Sequence, residues 1–419
     1  MADGLVAALG DVATIILSNV DKHIHGHESP VRLCNYLDVY RNRRISSHME
    51  FSAGSVTPAE AARFGLRKGD VLVTKDSETP TDIGVPALAT DDIPGLICGY
   101  HLAILRPTNG LDSGYLLHYL QSVEAKRHFL RTANGLTRFS LGLRALASLP
   151  VRLPATSEQA EIAKVLDAAD GALGQIRKAL RHARDLDRSL LHDLLDGGKR
   201  ASGTARGGSA WPIRRVDEVA DVGSGITLGK GVSGVSSVEL PYLRVANVQD
   251  GHLDLTTVKT VRVPITEAHR FQLQVGDVLM TEGGDIDKLG RGTIWQGQIP
   301  NCLHQNHIFR VRAHPGVLAP QFYALIVESD IAKRYFTRVA KQTTNLASTN
   351  KTQVRAFRFP VPPTLAEQSH IADVMDASRA TLRALAAQEQ AVVQLKATLA
   401  DELISGRARV AVAVPASVR

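Results

Sequence analysis

The chain carries one pattern twice. Arg63, Phe64 and the segment GDVLVT at 69–74 return 207 residues later as Arg270, Phe271 and GDVLMT at 276–281. The same offset carries Ser122, Ala125, Lys126, Arg127 and Phe129 onto Ser329, Ala332, Lys333, Arg334 and Phe336. Further on the offset becomes 209, where Glu158, Gln159, Ile162, Ala163, Val165 and Asp167 meet Glu367, Gln368, Ile371, Ala372, Val374 and Asp376. Two copies with a period near 200 residues mark a tandem domain duplication, not a solenoid of short stacked units. At 419 residues the chain is also too long for one ordinary core and suits two to four units of about 100 to 200 residues. Function is therefore to be sought in paired sites.

Each copy divides into a Gly- and Val-rich head and a long polar helix. In the second head, 242–248, 257–263, 277–280 and 307–311 are β-rich and bounded by Gly, Asp or Pro. The stretches 113–132 and 319–339 have the spacing of amphipathic helices, so each head is expected to be α+β. Past Pro154, apolar residues follow a heptad seam: Ile162, Leu166, Ala169, Leu173, Ile176, Leu180, Ala183, Leu190 and Leu194. The second seam runs through Ile371, Met375, Leu382, Leu385, Val392, Leu399 and Leu403. It is interrupted by Ser378, Glu389 and Lys396, as Asp187 interrupts the first. Thr156 with Gln159 and Thr364 with Glu367 have capping-box spacing, and Gly197 and Gly406 stand where a left-handed residue closes a helix. A rod of about 60 Å with one exposed seam is not stable alone in water. The two helices are therefore expected to pair as an antiparallel coiled coil under a pseudo-twofold axis. The expected boundaries are heads at 1–153 and 211–361, helices at 154–197 and 362–406, a flexible basic linker at 198–210 and a tail at 407–419.

Composition narrows the classes. A net charge of +7 and a pI near 9.3 favour an anionic partner. No apolar run approaches the roughly 18 to 20 residues that span a bilayer, and Met1-Ala2-Asp3-Gly4 lacks the basic start of a secretory signal, so a cytoplasmic protein is expected. Cys34, Cys98 and Cys302 have no paired spacing, which leaves neither a disulfide framework nor a cysteine zinc site. His23, His25 and His27 alternate as on one strand face but lack carboxylate or cysteine support, so surface histidines are expected there. A phosphate-cradling GxxxxGK[ST] loop is absent, the nearest stretch being GITLGKG at 225–231. No nucleophile elbow is written either. No Asn- or Asp-Pro-Pro-aromatic tetrapeptide marks a flipped-base methyltransferase pocket.

The motifs PPTLAEQSHI at 362–371 and LPATSEQAEI at 153–162, with Gly69 to Leu72 and Gly276 to Leu279 early in each head, resemble the DNA-specificity (S) subunit of type I restriction-modification systems. The first copy keeps Glu158, Gln159 and Ile162 but lacks the double proline and the leucine. The resemblance implies two target-recognition heads, each reading half of a bipartite duplex-DNA site. The helices would set the spacer and dock methyltransferase subunits, and a motor-nuclease subunit would join. It implies no catalysis and no cofactor in this chain; S-adenosylmethionine, ATP and Mg2+ would belong to the partner subunits. Helix pairing and subunit docking would fall to Glu158, Gln159, Ile162, Leu166, Leu173, Leu180, Glu367, Gln368, Ile371, Met375 and Leu382. Arg and Lys suit phosphates, and Arg, Asn and Gln suit base edges. On that chemistry the DNA-contact candidates are Tyr40, Arg41, Asn42, Arg43, Arg44, Lys75, Arg138 and Arg144 in the first head. In the second they are Lys230, Arg244, Asn247, Arg291, Lys341, Gln342 and Asn345. A solvated basic surface is the competing reading of each residue. A stand-alone DNA-binding protein and a coiled-coil scaffold remain open as alternatives for the whole chain.

Overall fold

The computed structural model describes residues 5–108, 110–195, 211–229, 235–284, 289–342 and 346–411. The candidates Lys230 and Asn345, the cap position Gly197 and the 198–210 linker lie outside the described residues. The chain forms two compact units, residues 1–177 with 387–419 and residues 178–386.

The duplicated Gly-Asp pattern builds the centre of both. In the first unit, strand β1 (Val71–Thr74) pairs antiparallel with β2 (Leu102–Pro107) inside a five-stranded sheet. In the second, β3 (Val278–Thr281) pairs antiparallel with β4 (Ile308–Ala313) inside a four-stranded one. Gly69 and Gly276 precede β1 and β3 at φ +89° and +94°, a left-handed conformation that costs glycine little. The following Asp70 accepts the Arg67 N–H at 2.9 Å and the Arg106 guanidinium at 2.7 and 2.8 Å. Asp277 likewise accepts the Gln274 N–H and both Arg312 nitrogens, all at 2.7 Å. Both carboxylates are buried, so each clasp is a bidentate ion pair that ties the turn before one central strand to the far end of the next. This explains the twice-written GDVL.

The remaining strands also repeat. Ser29–Cys34 pairs antiparallel with Ser52–Val56 and parallel with Leu96–Cys98. Ser237–Leu243 does the same with Lys259–Pro264 and Leu303–His304. The sequence places one helix at 113–132 and one at 319–339, but each is two. Ser113–Tyr119 and Val123–Thr132 are separated where Ser122 Oγ accepts the Ala125 N–H, and Pro320–Glu328 is followed by Asp330–Val339. The 242–248 stretch is strand only as far as Leu243 and continues as a 3-10 turn, Val245–Asn247. The three cysteines are buried free thiols.

The long helices are α1 (Thr156–Leu195) and α2 (Leu365–Ser405). Gly406, at φ +76°, closes α2 in the expected left-handed conformation. Thr364 Oγ1 accepts the Glu367 N–H at 3.2 Å, but Gln159 does not complete a capping box with Thr156. Its amide serves the head instead. In the first unit, Lys396 meets Asp170 at 2.5 Å and Arg177 meets Glu389 at 2.7 Å, so seven residues forward on α1 match seven back on α2. That is antiparallel pairing. In the second unit Asp187 of α1 accepts the Ser378 hydroxyl of α2 at 2.7 Å and lies 3.9 Å from Arg379.

Candidate nucleic-acid interface

Several residues assigned to helix pairing and docking turn out to seat each helix on its own head. Gln159 is buried, accepts the Asp112 N–H at 2.8 Å and donates to the Gly110 and Pro154 carbonyls. Gln368 repeats this with the Ala319 N–H at 2.7 Å and the Val317 and Pro362 carbonyls. A carboxylate could accept but not donate, which is why an amide recurs at both positions. Ile162 and Leu166 enter the first head's core beside Leu116 and Leu117, and Ile371 and Met375 enter the second beside Phe322 and Tyr323. These six positions are thereby corrected from docking surface to helix anchorage. Leu173 and Leu180 are buried, Leu382 is half-buried, and Glu367 accepts the Trp211 indole N–H at 3.2 Å. Glu158 is half-buried, with Oε1 unpartnered.

The Tyr40–Arg44 cluster divides. Tyr40 stacks on Tyr36 and donates its hydroxyl to Asp82 at 2.9 Å, Arg41 is exposed, and Asn42 donates to the Asp38 carbonyl. Arg43 and Arg44 turn instead to α1, pairing with Asp170 at 2.8 Å and Asp167 at 2.6 Å. His118 joins them through Asp167 at 2.9 Å, and burial lowers its pKa. His118, Asp167 and Asp170 have the convergence of a metal site. However, Arg43, Arg44 and Lys396 already supply three cationic partners, so the cluster is a head-to-helix ion network. Arg43 and Arg44 are thus engaged with α1 in this fold, with part of each side chain still exposed.

In the second head Asn247 is likewise corrected. It is buried, its Oδ1 accepts the Arg244 N–H, and its amide donates to the Asp254 and Thr257 carbonyls, which leaves nothing for a base edge. Arg244 donates to the Thr257 carbonyl and Arg291 to Gln249. Lys341 and Gln342 are exposed on a short strand beside Ala347–Ser348, which in turn pairs with Gly283–Gly284 just past β3. In the first head the matching hairpin pairs Phe139–Ser140 with Asp76–Ser77 just past β1. Here Arg138 lines a cleft of about 370 Å³ with Tyr36, Asp76, Asp82 and His101. Lys75 donates to Asp76 at 2.6 Å, whereas Arg144 is exposed elsewhere on Leu143–Ala147. Burial pushes the Asp76 pKa up, but hydrogen bonds from Lys75, Ser140 and His101 outweigh it and hold the carboxyl below its ordinary value. The structure thus places Arg138 on one cleft with the Asp76 that holds Lys75 in the first head, and Lys341 and Gln342 on one short strand in the second, each beside the strand pairing that follows the central strand.

A family model described as the type I restriction modification DNA specificity domain matches residues 48–181 and again 208–395. The chain belongs to that family. Among the family's curated members, the EcoKI specificity subunit of Escherichia coli K12 is 22% identical over 311 residues, 72% of this chain and 66% of the relative. The StySPI specificity subunit of Salmonella potsdam is 21% identical over 316 residues with the same two coverages. The chain thus spans just under two thirds of these relatives, and a Methanocaldococcus jannaschii relative is matched over 38% of its length. The fold is similar to the type I restriction-modification S subunit from M. genitalium, with 12% identity, 96% of each chain covered and a TM-score of 0.56. A chain from a structure titled for complex assembly and conformational transition of the type I R-M system gives 0.56 at 16% identity, over 97% of this chain and 99% of that one.

The family's specificity heads here contain a feature that the sequence reading missed. His101 and His307 immediately precede β2 and β4 and begin the repeated pattern His-[Leu/Ile]-x-x-[Leu/Val]-Arg, ending at Arg106 and Arg312. The offset there is 206, one short of the 207 that flanks it, so a fixed register passes over the match.

Proposed function

We propose that this chain is the sequence-reading subunit of a type I restriction-modification complex. Each head reads one half of a bipartite duplex-DNA site, and the helices set the gap and dock the methyltransferase subunits. A motor-nuclease subunit completes the cleaving complex in the cytoplasm. The chain itself carries out no catalysis and holds no cofactor; S-adenosylmethionine, ATP and Mg2+ act in its partners. The observation that carries this reading is the double match to the specificity-domain family on two heads with the same strand order and the same Asp-Arg clasp. Among the described residues no helix is long and apolar enough to cross a membrane.

Co-expression with a type I methyltransferase subunit in a host lacking adenine methylation tests it, with modified adenines mapped genome-wide. A two-part motif with a fixed gap, present only with this chain, is the expected result. An active partner in stable complex that yields no chain-dependent motif would overturn the reading in favour of a stand-alone binder or a scaffold.

A further inference from the structure

Both heads hold an imidazole against a carboxylate at the same place. The backbone fixes the equivalence, because Lys75 N–H donates to the His101 carbonyl at 2.9 Å and Glu282 N–H donates to the His307 carbonyl at 3.0 Å. His101 Nδ1 lies 2.6 Å from Asp76 Oδ2, and His307 Nδ1 lies 2.5 Å from Glu282 Oε2. The carboxylates come from different positions, Asp76 being one residue past the equivalent of Glu282. The two heads therefore reach one arrangement by different residues, which simple copying of a sequence does not require. Neither pair is core: the His101 and His307 side chains are 31% and 54% exposed, and no hydrogen bond to Nε2 is found among the described residues. His101 is also held at φ +69°, a conformation that side chains other than glycine adopt at a cost and that clusters at ligand sites. Each pair adjoins the hairpin that carries Arg138 in one head and Lys341 and Gln342 in the other.

We infer that each His-carboxylate pair is a base-reading element, His101 with Asp76 for one half-site and His307 with Glu282 for the other. This rests on the specificity-subunit reading. In the tautomer that gives Nδ1–H to the carboxylate, Nε2 is the acceptor that faces outward. Asp76, Glu78 and Asp82 outnumber Arg138 among the charged groups that line the first cleft, a balance that disfavours a phosphate there. The chemistry matched by acceptors in the major groove is an exocyclic amino group, adenine N6 or cytosine N4.

The test is selection of random duplex DNA on the complex of the full-length chain with a type I methyltransferase subunit, and on the same complex carrying His101→Ala or His307→Ala, with Asp76→Asn and Glu282→Gln as second variants. The expected outcome is a bipartite motif for the unchanged chain. His101→Ala and Asp76→Asn should relax one or two positions of one half-site by roughly 5- to 100-fold, and His307→Ala and Glu282→Gln should relax the other half-site alone. Unchanged thermal unfolding of the variants separates this from misfolding, and a misfolded alanine variant leaves the decision to its milder partner. Variants that enrich the original motif overturn the inference and leave the function standing. So does a uniform loss of affinity with a shallower salt dependence, the mark of a phosphate contact. A bipartite motif missing from the unchanged chain overturns the function and the inference together.

Discussion

His304 shows what one side chain contributes when burial sets its charge. It ends the strand Leu303–His304, with Nδ1 3.0 Å from the Phe271 carbonyl and Nε2 buried without a partner. Burial lowers its pKa from 6.5 to about 4, against the smaller opposing effect of the Phe271 carbonyl. Below pH 6.5 the unfolded chain therefore takes up a proton that the folded chain refuses until about pH 4. Stability is lost as pH falls through that window, by about 3 kcal/mol from this group alone. Urea unfolding of the full chain at several pH values should show a steeper loss between pH 6.5 and 4 than in His304→Leu. The variant's missing hydrogen bond adds only a constant offset, so parallel curves would remove this account. The twice-written Gly-Asp turns were legible at this scale because the backbone demands glycine at positive φ and the clasp demands a carboxylate. The DNA candidates were less legible. Nothing in the composition of Arg43 or Asn247 separates a residue facing solvent from one spent on Asp170 or on the Thr257 carbonyl.

At the scale of elements, the polar interruptions of the two seams form a rule for pairing. Under the 209-residue register Asp170 corresponds to Arg379 and Asp187 to Lys396. In the first unit Asp170 pairs with Lys396, and in the second Arg379 lies beside Asp187, the same contact with its charges exchanged. Helix α1 is thus acidic at both positions and α2 basic at both. Pairing α1 with another α1 would set Asp170 against Asp187, and pairing α2 with another α2 would set Arg379 against Lys396. Like charges at a half-buried seam oppose both alternatives. Asp170 and Lys396 are mostly buried, so Asp170→Lys should cost on the order of 2 to 4 kcal/mol in denaturant unfolding. Adding Lys396→Asp should recover part of that loss, because the new lysine still faces Arg43. Failure to recover any, in a background that also carries Arg43→Ala, would show that the position needs packing and not charge. Heptad spacing made the helices and their pairing legible from sequence. It gave no warning that Ile162, Leu166, Ile371 and Met375 belong to the heads' cores, because a seam facing a sheet and helices has the same period as one facing a helix.

At the scale of the whole molecule, the proposed function makes helix length part of the recognised sequence. One heptad inserted after Arg177 of α1 and one before Glu389 of α2 leave the pairings of Asp170 with Lys396 and of Asp187 with Ser378 in step. Each matched heptad adds about 10.5 Å, which is about three base pairs. A gap of three more base pairs also turns the second half-site by about a third of a helical turn, so a single heptad should give weak methylation. Three matched heptads add about 31 Å, close to the roughly 34 Å of one full turn, and return both half-sites to the same face of the duplex. Methylation mapping with the threefold insertion should recover the original half-sites with a gap longer by nine or ten base pairs, at an efficiency above that of the single insertion. An unchanged gap would mean that the helices do not set the spacing, and altered half-sites would mean that they also shape the reading surfaces.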